Sequence, residues 1–125
     1  MDKFDTQEKI MDLTQQGLEF RQQGAYDEAI LCFEDIIKLD PTYVDAYHNK
    51  ALVLSDQDLI EESNYCYDQI IQMDPKHQKA WSNKGANLCM LEKFEEAIQC
   101  YDEAIEIDSK DDIALSNKGE SLAYL

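Results

Sequence analysis

Apolar residues recur along this chain at helical spacing, and the whole pattern repeats every 34 residues. From residue 10 onward, positions 4 and 11 of each 34-residue unit are large and apolar, and position 8 is small. Separations of three and four residues place these side chains on one face of a helix. A second stretch has a small residue at position 20, an aromatic at 24 and an aliphatic or small residue at 27. Each unit therefore predicts two helices joined by a short turn.

Small residues stand inside both predicted helices. The first-helix set is Leu13, Gly17 and Phe20; Tyr47, Ala51 and Leu54; Trp81, Gly85 and Leu88; Leu115, Gly119 and Leu122. The second-helix set is Ala29, Phe33 and Ile36; Ser63, Tyr67 and Ile70; Ala97, Tyr101 and Ala104. A glycine inside a helix costs about 1 kcal/mol relative to alanine. Its recurrence predicts that a neighbouring helix approaches there too closely for a side chain.

Aspartate and proline mark the predicted helix ends. Asp40-Pro41 and Asp74-Pro75 recur at the same interval, and proline disfavours the helical conformation of the residue before it. The third unit has Asp108 without a proline, so we expect a weaker stop that capping by Asp111 or Asp112 reinforces. At the other end of the chain, Asp5 followed by Glu8 predicts a capping-box start, which leaves residues 1–4 as a tail.

These residues resemble the tetratricopeptide repeat, whose pattern combines an aromatic, Leu-Gly and Tyr with a second helix of Ala, Phe, Ala and Pro. The third unit matches best, with Trp81, Gly85, Leu88, Phe94, Ala97, Tyr101 and Ala104. The resemblance implies an all-α fold, a right-handed α-solenoid of antiparallel helix pairs with about seven helices. The implied organisation is a lead-in (1–9), three repeats (10–43, 44–77 and 78–111) and a capping helix or first helix of a fourth repeat (112–125). Since that last segment keeps apolar stacking positions, we expect the chain to be part of a longer array.

The net charge of −16 changes the range of expected partners. Nucleic acids and anionic membranes are poor partners for such a surface, because their phosphates are repelled. No apolar run approaches the roughly 20 residues that span a bilayer, and no signal peptide is visible. We therefore expect a cytoplasmic protein in a reducing environment.

The cysteines fit this expectation. Cys32, Cys66 and Cys100 share position 23, and equivalent positions of stacked helices lie roughly 8–10 Å apart, beyond the ~7 Å limit for a disulfide. We expect them to be free packing residues, whereas Cys89 falls at a different position and could be exposed. His48 and His77 are not at ligand spacing from any cysteine, so no metal or other cofactor is expected. No Gly-rich phosphate loop or placed Cys–His pair is present, so we do not expect an enzyme.

The resemblance also implies a concave groove, lined by positions 2, 5, 6, 9, 12 and 13 of each first helix. In the first unit these are Met11, Thr14, Gln15, Leu18, Arg21 and Gln22. Across the chain the predicted partner-binding residues are Arg21, Asp45, His48, Asn49, Leu52, Lys79, Asn83, Ala86, Met90 and Asn117. The three second-helix segments carry charges of −4, −4 and −6, so most of the acidity lies outside the groove and favours solubility over a binding role.

We therefore predict a protein–protein interaction scaffold that binds a peptide or helix of a partner in this groove. Two alternatives stay open: a small acidic chaperone or co-chaperone of this family, or a non-catalytic fragment of a larger repeat protein. Weak self-association through exposed repeat ends is a further option.

Two features of the groove bear on the ligand. Asn49, Asn83 and Asn117 share position 6, where an amide can bind a peptide backbone or is simply a common family residue. The subclass that clamps chaperone C-terminal carboxylates needs lysine and asparagine in the first repeat, asparagine in the second, and lysine and arginine in the third. This chain has Thr14, Leu18, Asn49, Lys79 and Asn83 there, of which two of five match, so peptides ending in EEVD are not expected to bind.

Overall fold

The computed structural model describes residues 2–125, and within them all regular structure is helical. The described part of the chain forms seven helices: α1 (Lys3–Gln22), α2 (Tyr26–Leu39), α3 (Val44–Asp56), α4 (Ile60–Met73), α5 (Gln78–Met90), α6 (Phe94–Ile107) and α7 (Asp112–Ala123). The all-α class and the number of helices are confirmed.

The turn inside each helix pair reverses the chain through one residue in the left-handed backbone region. Gly24 has φ 76°, Asp58 has φ 64° and Glu92 has φ 59°, and all three occupy the same place in the 34-residue unit. After each of them the chain closes back on the preceding helix: the N–H groups of Ala25 and Lys93 both donate to carbonyls five residues earlier, at 2.8 Å. Glycine adopts this region without strain, whereas aspartate and glutamate do so at some cost in free energy.

Aspartate side chains end the second helix of each pair. The carboxylates of Asp40, Asp74 and Asp108 each accept a hydrogen bond from the backbone N–H two residues later, at 3.0, 3.2 and 3.0 Å. This local turn explains why α6 ends without a proline. Asp111 caps α7 by accepting from the N–H of Ala114 at 2.9 Å, as the sequence predicted.

The start of α1 differs from the sequence-based expectation. The N-cap is Asp2, whose Oδ1 accepts from the N–H of Asp5 at 2.9 Å, so the predicted capping box at Asp5 and Glu8 is wrong. Asp2 is itself a good N-cap residue, and capping there adds helical backbone hydrogen bonds. Residues 3–9, predicted as a lead-in to the first helix, are therefore already part of α1, and Met1 of the predicted tail lies outside the described residues.

The chain divides into two compact units, Met1–Cys66 and Tyr67–Leu125, with the division inside α4. In the first unit α1 packs on α2, α2 on α3, and α1 also touches α3. Its buried core consists of Ile10, Ala29, Phe33, Ile36, Ala46 and Val53. In the second unit α6 packs on α5 and on α7. The buried core there consists of Leu88, Ala97, Cys100, Tyr101, Ala104 and Ala114.

Two of the helical glycines sit where an aromatic ring leaves no room for a side chain. A Cβ at Gly17 would lie 2.6 Å from the ring of Phe33, and one at Gly85 would lie 2.7 Å from the ring of Tyr101. The predicted close approach is confirmed at these two positions. It is wrong at Gly119, where a Cβ would meet nothing within 4 Å, since none of the seven described helices places a ring over that face of α7.

The cysteines at position 23 are buried free thiols. Burial raises the pKa of the Cys100 thiol from 9.0 to about 11, and burial also raises the pKa of Cys32 and Cys66. The prediction that they are buried packing residues is confirmed.

Candidate functional site

In the first unit, α1 carries a surface pocket on the face predicted to bind a partner. Six of its lining residues belong to α1 and the seventh is Tyr43, the N-cap residue of α3; together they line about 390 Å³: Met11, Thr14, Gln15, Leu18, Glu19, Gln22 and Tyr43. Met11 is 71% exposed and Leu18 is 44% exposed. Glu19 is the one charged residue among these lining residues. The pocket is therefore suited to an uncharged apolar side chain.

Arg21, at the end of the same face, is held by an ion pair. Its Nε lies 2.6 Å from Oδ2 of Asp56 and its Nη2 lies 3.3 Å from Oδ1, so the guanidinium binds the carboxylate with two nitrogens. Asp56 is the last residue of α3. The cation that the sequence placed in the groove is thus largely neutralised by a neighbouring groove residue.

The remaining predicted residues of the first unit lie along α3. Asp45 is exposed, and His48, Asn49 and Leu52 are half-buried, so all four are at least partly accessible. None of them lines the α1 pocket. Glu19 and Tyr43 line the α1 pocket although neither stands at a predicted groove position, so the repeat pattern did not indicate them.

In the second unit the predicted residues divide between two places. Ala86 and Asn117 come together in a pocket of about 170 Å³ between α5, α6 and α7, which is completed by Cys89, Phe94, Tyr101, Glu120, Ser121 and Tyr124. Lys79 and Met90 are exposed outside this pocket, and Asn83 is half-buried. The rings of Phe94 and Tyr124 stack with centroids 4.7 Å apart, an arrangement that the repeat pattern did not indicate.

Cys89 is half-buried at the base of this second pocket rather than openly exposed. Its Sγ lies 3.0 Å from Oγ of Ser121 and 3.7 Å from the hydroxyl of Tyr101. Burial, with the hydrogen bond to Cys89, raises the pKa of Tyr101, so its hydroxyl stays protonated.

Asp111 joins α5 to the start of α7. Its Oδ2 accepts from the side chains of Gln78 and Ser82, the latter at 3.2 Å, while Oδ1 accepts from the N–H of Ala114. Burial alone would raise the pKa of Asp111, but these hydrogen bonds outweigh it and hold the pKa below its ordinary value of 3.8. The sequence predicted the helix cap at Asp111 but did not indicate the hydrogen bonds from Gln78 and Ser82.

A repeated ion pair joins each later first helix to the second helix that precedes it. The pairs are Lys50 with Glu34 at 3.7 Å, Lys84 with Asp68 at 2.6 Å, and Lys118 with Asp102 at 2.6 Å. All six residues recur at the 34-residue interval, which is the signal that could have predicted the pairing. Each lysine follows the position-6 asparagine directly, so it stabilises the packing of neighbouring helices beside that asparagine.

No group of three or more His, Cys, Asp or Glu side chains within residues 2–125 is arranged to hold a metal ion. None of the helices described above is both long and apolar enough to cross a membrane.

Solved structures with the same fold share little sequence with this chain. The first TPR domain of Spaghetti (RPAP3), bound to the HSP90 peptide SRMEEVD, has a TM-score of 0.84 at 24% identity and covers 93% of this chain and 92% of its own. The TPR2B domain of yeast Sti1, in a complex with pHsp70, has a TM-score of 0.84 at 17% identity and covers 94% and 98%. The second TPR domain of human RPAP3, in complex with the HSP70 peptide SGPTIEEVD, has a TM-score of 0.84 at 21% identity and covers 94% and 98%.

Comparison with curated protein sequences finds no match. Family models give a positive result: models described as tetratricopeptide repeat match residues 79–111 and 44–77, and one described as TPR repeat matches residues 17–58. Together these matches cover residues 17–77 and 79–111, which is more than half of the chain. With seven helices in repeating pairs and the fold of solved TPR domains, the chain belongs to the tetratricopeptide-repeat family.

Proposed function

We propose that this protein is a protein–protein interaction module that binds a peptide segment of a partner on the exposed faces of its first helices. The α1 pocket is the observation that carries the proposal. Met11 and Leu18 stand exposed beside Tyr43 on a face that no other part of the described first unit covers. A pocket in which Met11, Leu18 and Tyr43 combine with polar residues, of which Glu19 alone is charged, fits an apolar side chain of a bound peptide.

The structural neighbours support a peptide ligand. The domains of RPAP3 and Sti1 with this fold bind segments of HSP90 and HSP70. The ligand of this chain differs, because a terminal carboxylate needs paired cations. Thr14 and Leu18 stand where the clamping subclass has lysine and asparagine, and Asn83 stands where it has arginine. Arg21 is held by Asp56 and is poorly placed to compensate.

We infer that the peptide is anchored by an apolar side chain in the α1 pocket. Asn49, Asn83 and Asn117 are each half-buried at the same position of their first helices. The amide of Asn117 already forms a hydrogen bond with Tyr101, so Asn49 is the one of these three residues that we infer offers its amide to a peptide backbone. The accessible Asp45, His48, Leu52, Lys79, Ala86 and Met90 would then select among sequences.

The composition supports a binding role in a reducing compartment. Four cysteines occur and all are free thiols, which is typical of cytoplasmic proteins. The net charge of −16 disfavours nucleic acid and anionic lipid as ligands and favours a protein partner without excess negative charge. The role is that of a binding module rather than an enzyme.

The test selects ligands from a library of random 12-residue peptides displayed on phage and measures their affinity by calorimetry. Leu18→Asp should weaken binding of the selected peptides at least tenfold, because a charge in an apolar pocket must be desolvated. Leu31→Asp is the matched control, since Leu31 is 60% exposed on α2, outside the pocket. It should leave affinity unchanged.

The peptide SRMEEVD, which the Spaghetti domain binds, serves as a second probe and should not bind measurably. Tight binding that is lost when its terminal carboxylate is amidated would favour the co-chaperone alternative and refute apolar anchoring. Selected peptides whose affinity is the same for Leu18→Asp and Leu31→Asp would also contradict the proposal.

A further inference from the structure

Glu19 is the one charged residue that lines the α1 pocket, and its own helix supplies no cation beside it. The four residues one helical turn away are all glutamines: Gln15, Gln16, Gln22 and Gln23. In the part of the chain that the structure describes, the Glu19 side chain accepts one hydrogen bond, from Nε2 of Gln15 at 3.3 Å, and forms no ion pair. An uncompensated carboxylate therefore stands in a pocket whose other lining residues are uncharged.

The cation nearest to Glu19 in the sequence is bound elsewhere. Arg21 is two residues away, and helical residues at that spacing do not face each other. Its guanidinium binds Asp56, with nitrogen–oxygen distances of 2.6 and 3.3 Å. By contrast, the acids Asp68 and Asp102 each have a lysine partner at 2.6 Å. A cation for Glu19 therefore has to come from the ligand.

Filling the pocket changes the surroundings of this carboxylate. Glu19 is exposed to water. A peptide side chain that enters the space of about 390 Å³ beside Met11, Leu18 and Tyr43 would displace part of that water. A carboxylate that loses water without gaining a partner opposes binding, because a desolvated charge is costly unless it is paired. A ligand cation beside the apolar anchor removes this cost, whereas a ligand carboxylate there adds repulsion.

We propose that Glu19 determines the specificity of the α1 pocket by selecting peptides that carry lysine or arginine within two residues of the apolar anchor. The inference rests on the proposed function, since it takes the pocket as the anchor site and adds the charge of the neighbouring peptide residue. The net charge of −16 attracts cationic peptides to the whole surface, but Glu19 sets a preference at one place along the peptide.

The test repeats the selection from the random 12-residue phage library on wild type, Glu19→Gln and Glu28→Gln. Glu28→Gln is the matched control, because it removes one negative charge by the same chemical change at an exposed position of α2, outside the pocket. Lysine and arginine should be enriched beside the anchor in peptides selected on wild type and on Glu28→Gln. The enrichment should disappear on Glu19→Gln, and on Glu19→Lys aspartate and glutamate should replace it.

Calorimetry on one selected peptide measures the pairing directly. The anchor is the apolar residue whose alanine replacement weakens binding to wild type but not to Leu18→Asp. Glu19→Gln should weaken binding of the cationic peptide at least about threefold, and it should leave unchanged a peptide with glutamine in place of the cation. The advantage of the cationic peptide on wild type should shrink as salt rises. Circular dichroism should show that Glu19→Gln and Glu28→Gln both fold, since both positions are exposed.

The outcomes separate this inference from the proposed function. Peptides that lose affinity for Leu18→Asp but show no preference for a cation would overturn the role of Glu19 and leave apolar anchoring in place. A cation preference that Glu19→Gln and Glu28→Gln reduce equally would also overturn it, by assigning the preference to the charge of the whole chain. Enrichment of serine or asparagine instead of lysine and arginine would refute the need for a cation. Equal affinity for Leu18→Asp and Leu31→Asp would overturn both proposals together.

Discussion

Substituting alanine for glycine at three equivalent positions should change stability in opposite directions. A Cβ added at Gly17 or Gly85 would lie less than 3 Å from an aromatic ring, whereas a Cβ added at Gly119 would lie in open space. The local chemistry of the change is the same at all three positions. A difference in sign therefore reports the neighbouring helix rather than the intrinsic helix preference.

The magnitude follows from two opposing effects. Alanine is favoured over glycine inside a helix by about 0.8–1.0 kcal/mol. At Gly17 the new methyl would stand 2.6 Å from Cζ of Phe33, well inside van der Waals contact, and such overpacking costs about 1–3 kcal/mol. We expect Gly17→Ala and Gly85→Ala to lower the free energy of unfolding by about 0–2 kcal/mol, and Gly119→Ala to raise it by up to about 1 kcal/mol.

The assay is urea unfolding followed by circular dichroism, with the fluorescence of Trp81, the single tryptophan, as a local probe for the second unit. Agreement of the two signals tests two-state behaviour. A double-mutant cycle separates the effects: in a Phe33→Leu background the ring is gone, so Gly17→Ala should become neutral or stabilising. The coupling energy should be about 1–2 kcal/mol.

The reasoning fails if Gly17→Ala stabilises the protein as much as Gly119→Ala does, with a coupling energy to Phe33 near zero. In that case the ring would move aside without cost and the glycine would not be required by close packing. Destabilisation by Gly119→Ala would contradict the open space observed beside Gly119 on α7.

Three further predictions concern single residues. Asp111→Ala should lower stability by about 1–3 kcal/mol in urea unfolding, since a cap and two side-chain hydrogen bonds are lost, and Asp111→Asn should cost less because it keeps the cap. Because the folded pKa of Asp111 is lowered, its stabilisation is complete above the ordinary value of 3.8 and is lost as pH falls through the folded pKa, so Asp111→Asn should show a weaker loss of stability below about pH 4. Glu92→Gly should raise stability by about 0.5–1 kcal/mol at the left-handed turn position, whereas Glu95→Gly within α6 should lower it, both by thermal melts. With a disulfide reagent at pH 8, Cys89 should react first; Cys100, with its pKa of about 11, has roughly one-hundredth of the thiolate of an ordinary thiol with pKa 9.0, and a fast phase that persists in Cys89→Ser would contradict this assignment.

The sequence predicted the helices well because several signals agreed at each one. Apolar spacing, the small residues at Gly17 and Gly85, and the stops at Asp40 and Asp74 all recur at one interval. The left-handed turn residue was not predictable at Glu92, because glutamate gives no local sign of a positive φ. There the geometry is imposed by the packing of α5 on α6.

The sequence predicted which residues of each first helix would share a face, but not the contacts that their side chains make. Position numbers predicted Met11, Leu18 and Arg21 as groove residues of α1; Met11 and Leu18 line the α1 pocket, and Arg21 binds Asp56 outside it. They did not show that Arg21 is paired with Asp56, because that contact depends on how α1 and α3 pack and on which rotamers long side chains adopt. The pairing bears on the proposed ligand, since Arg21 already binds a carboxylate of the same chain.

The error at Gly119 has a physical cause. A residue that recurs in every repeat predicts the same contact each time, but the contact forms only where both of its helices are present. Lys118 has its ion-pair partner because Asp102 lies on α6, which packs on α7, whereas the residue next to it has no ring to receive. On α7, Lys118 therefore has its ion-pair partner, whereas the neighbouring Gly119 faces open space.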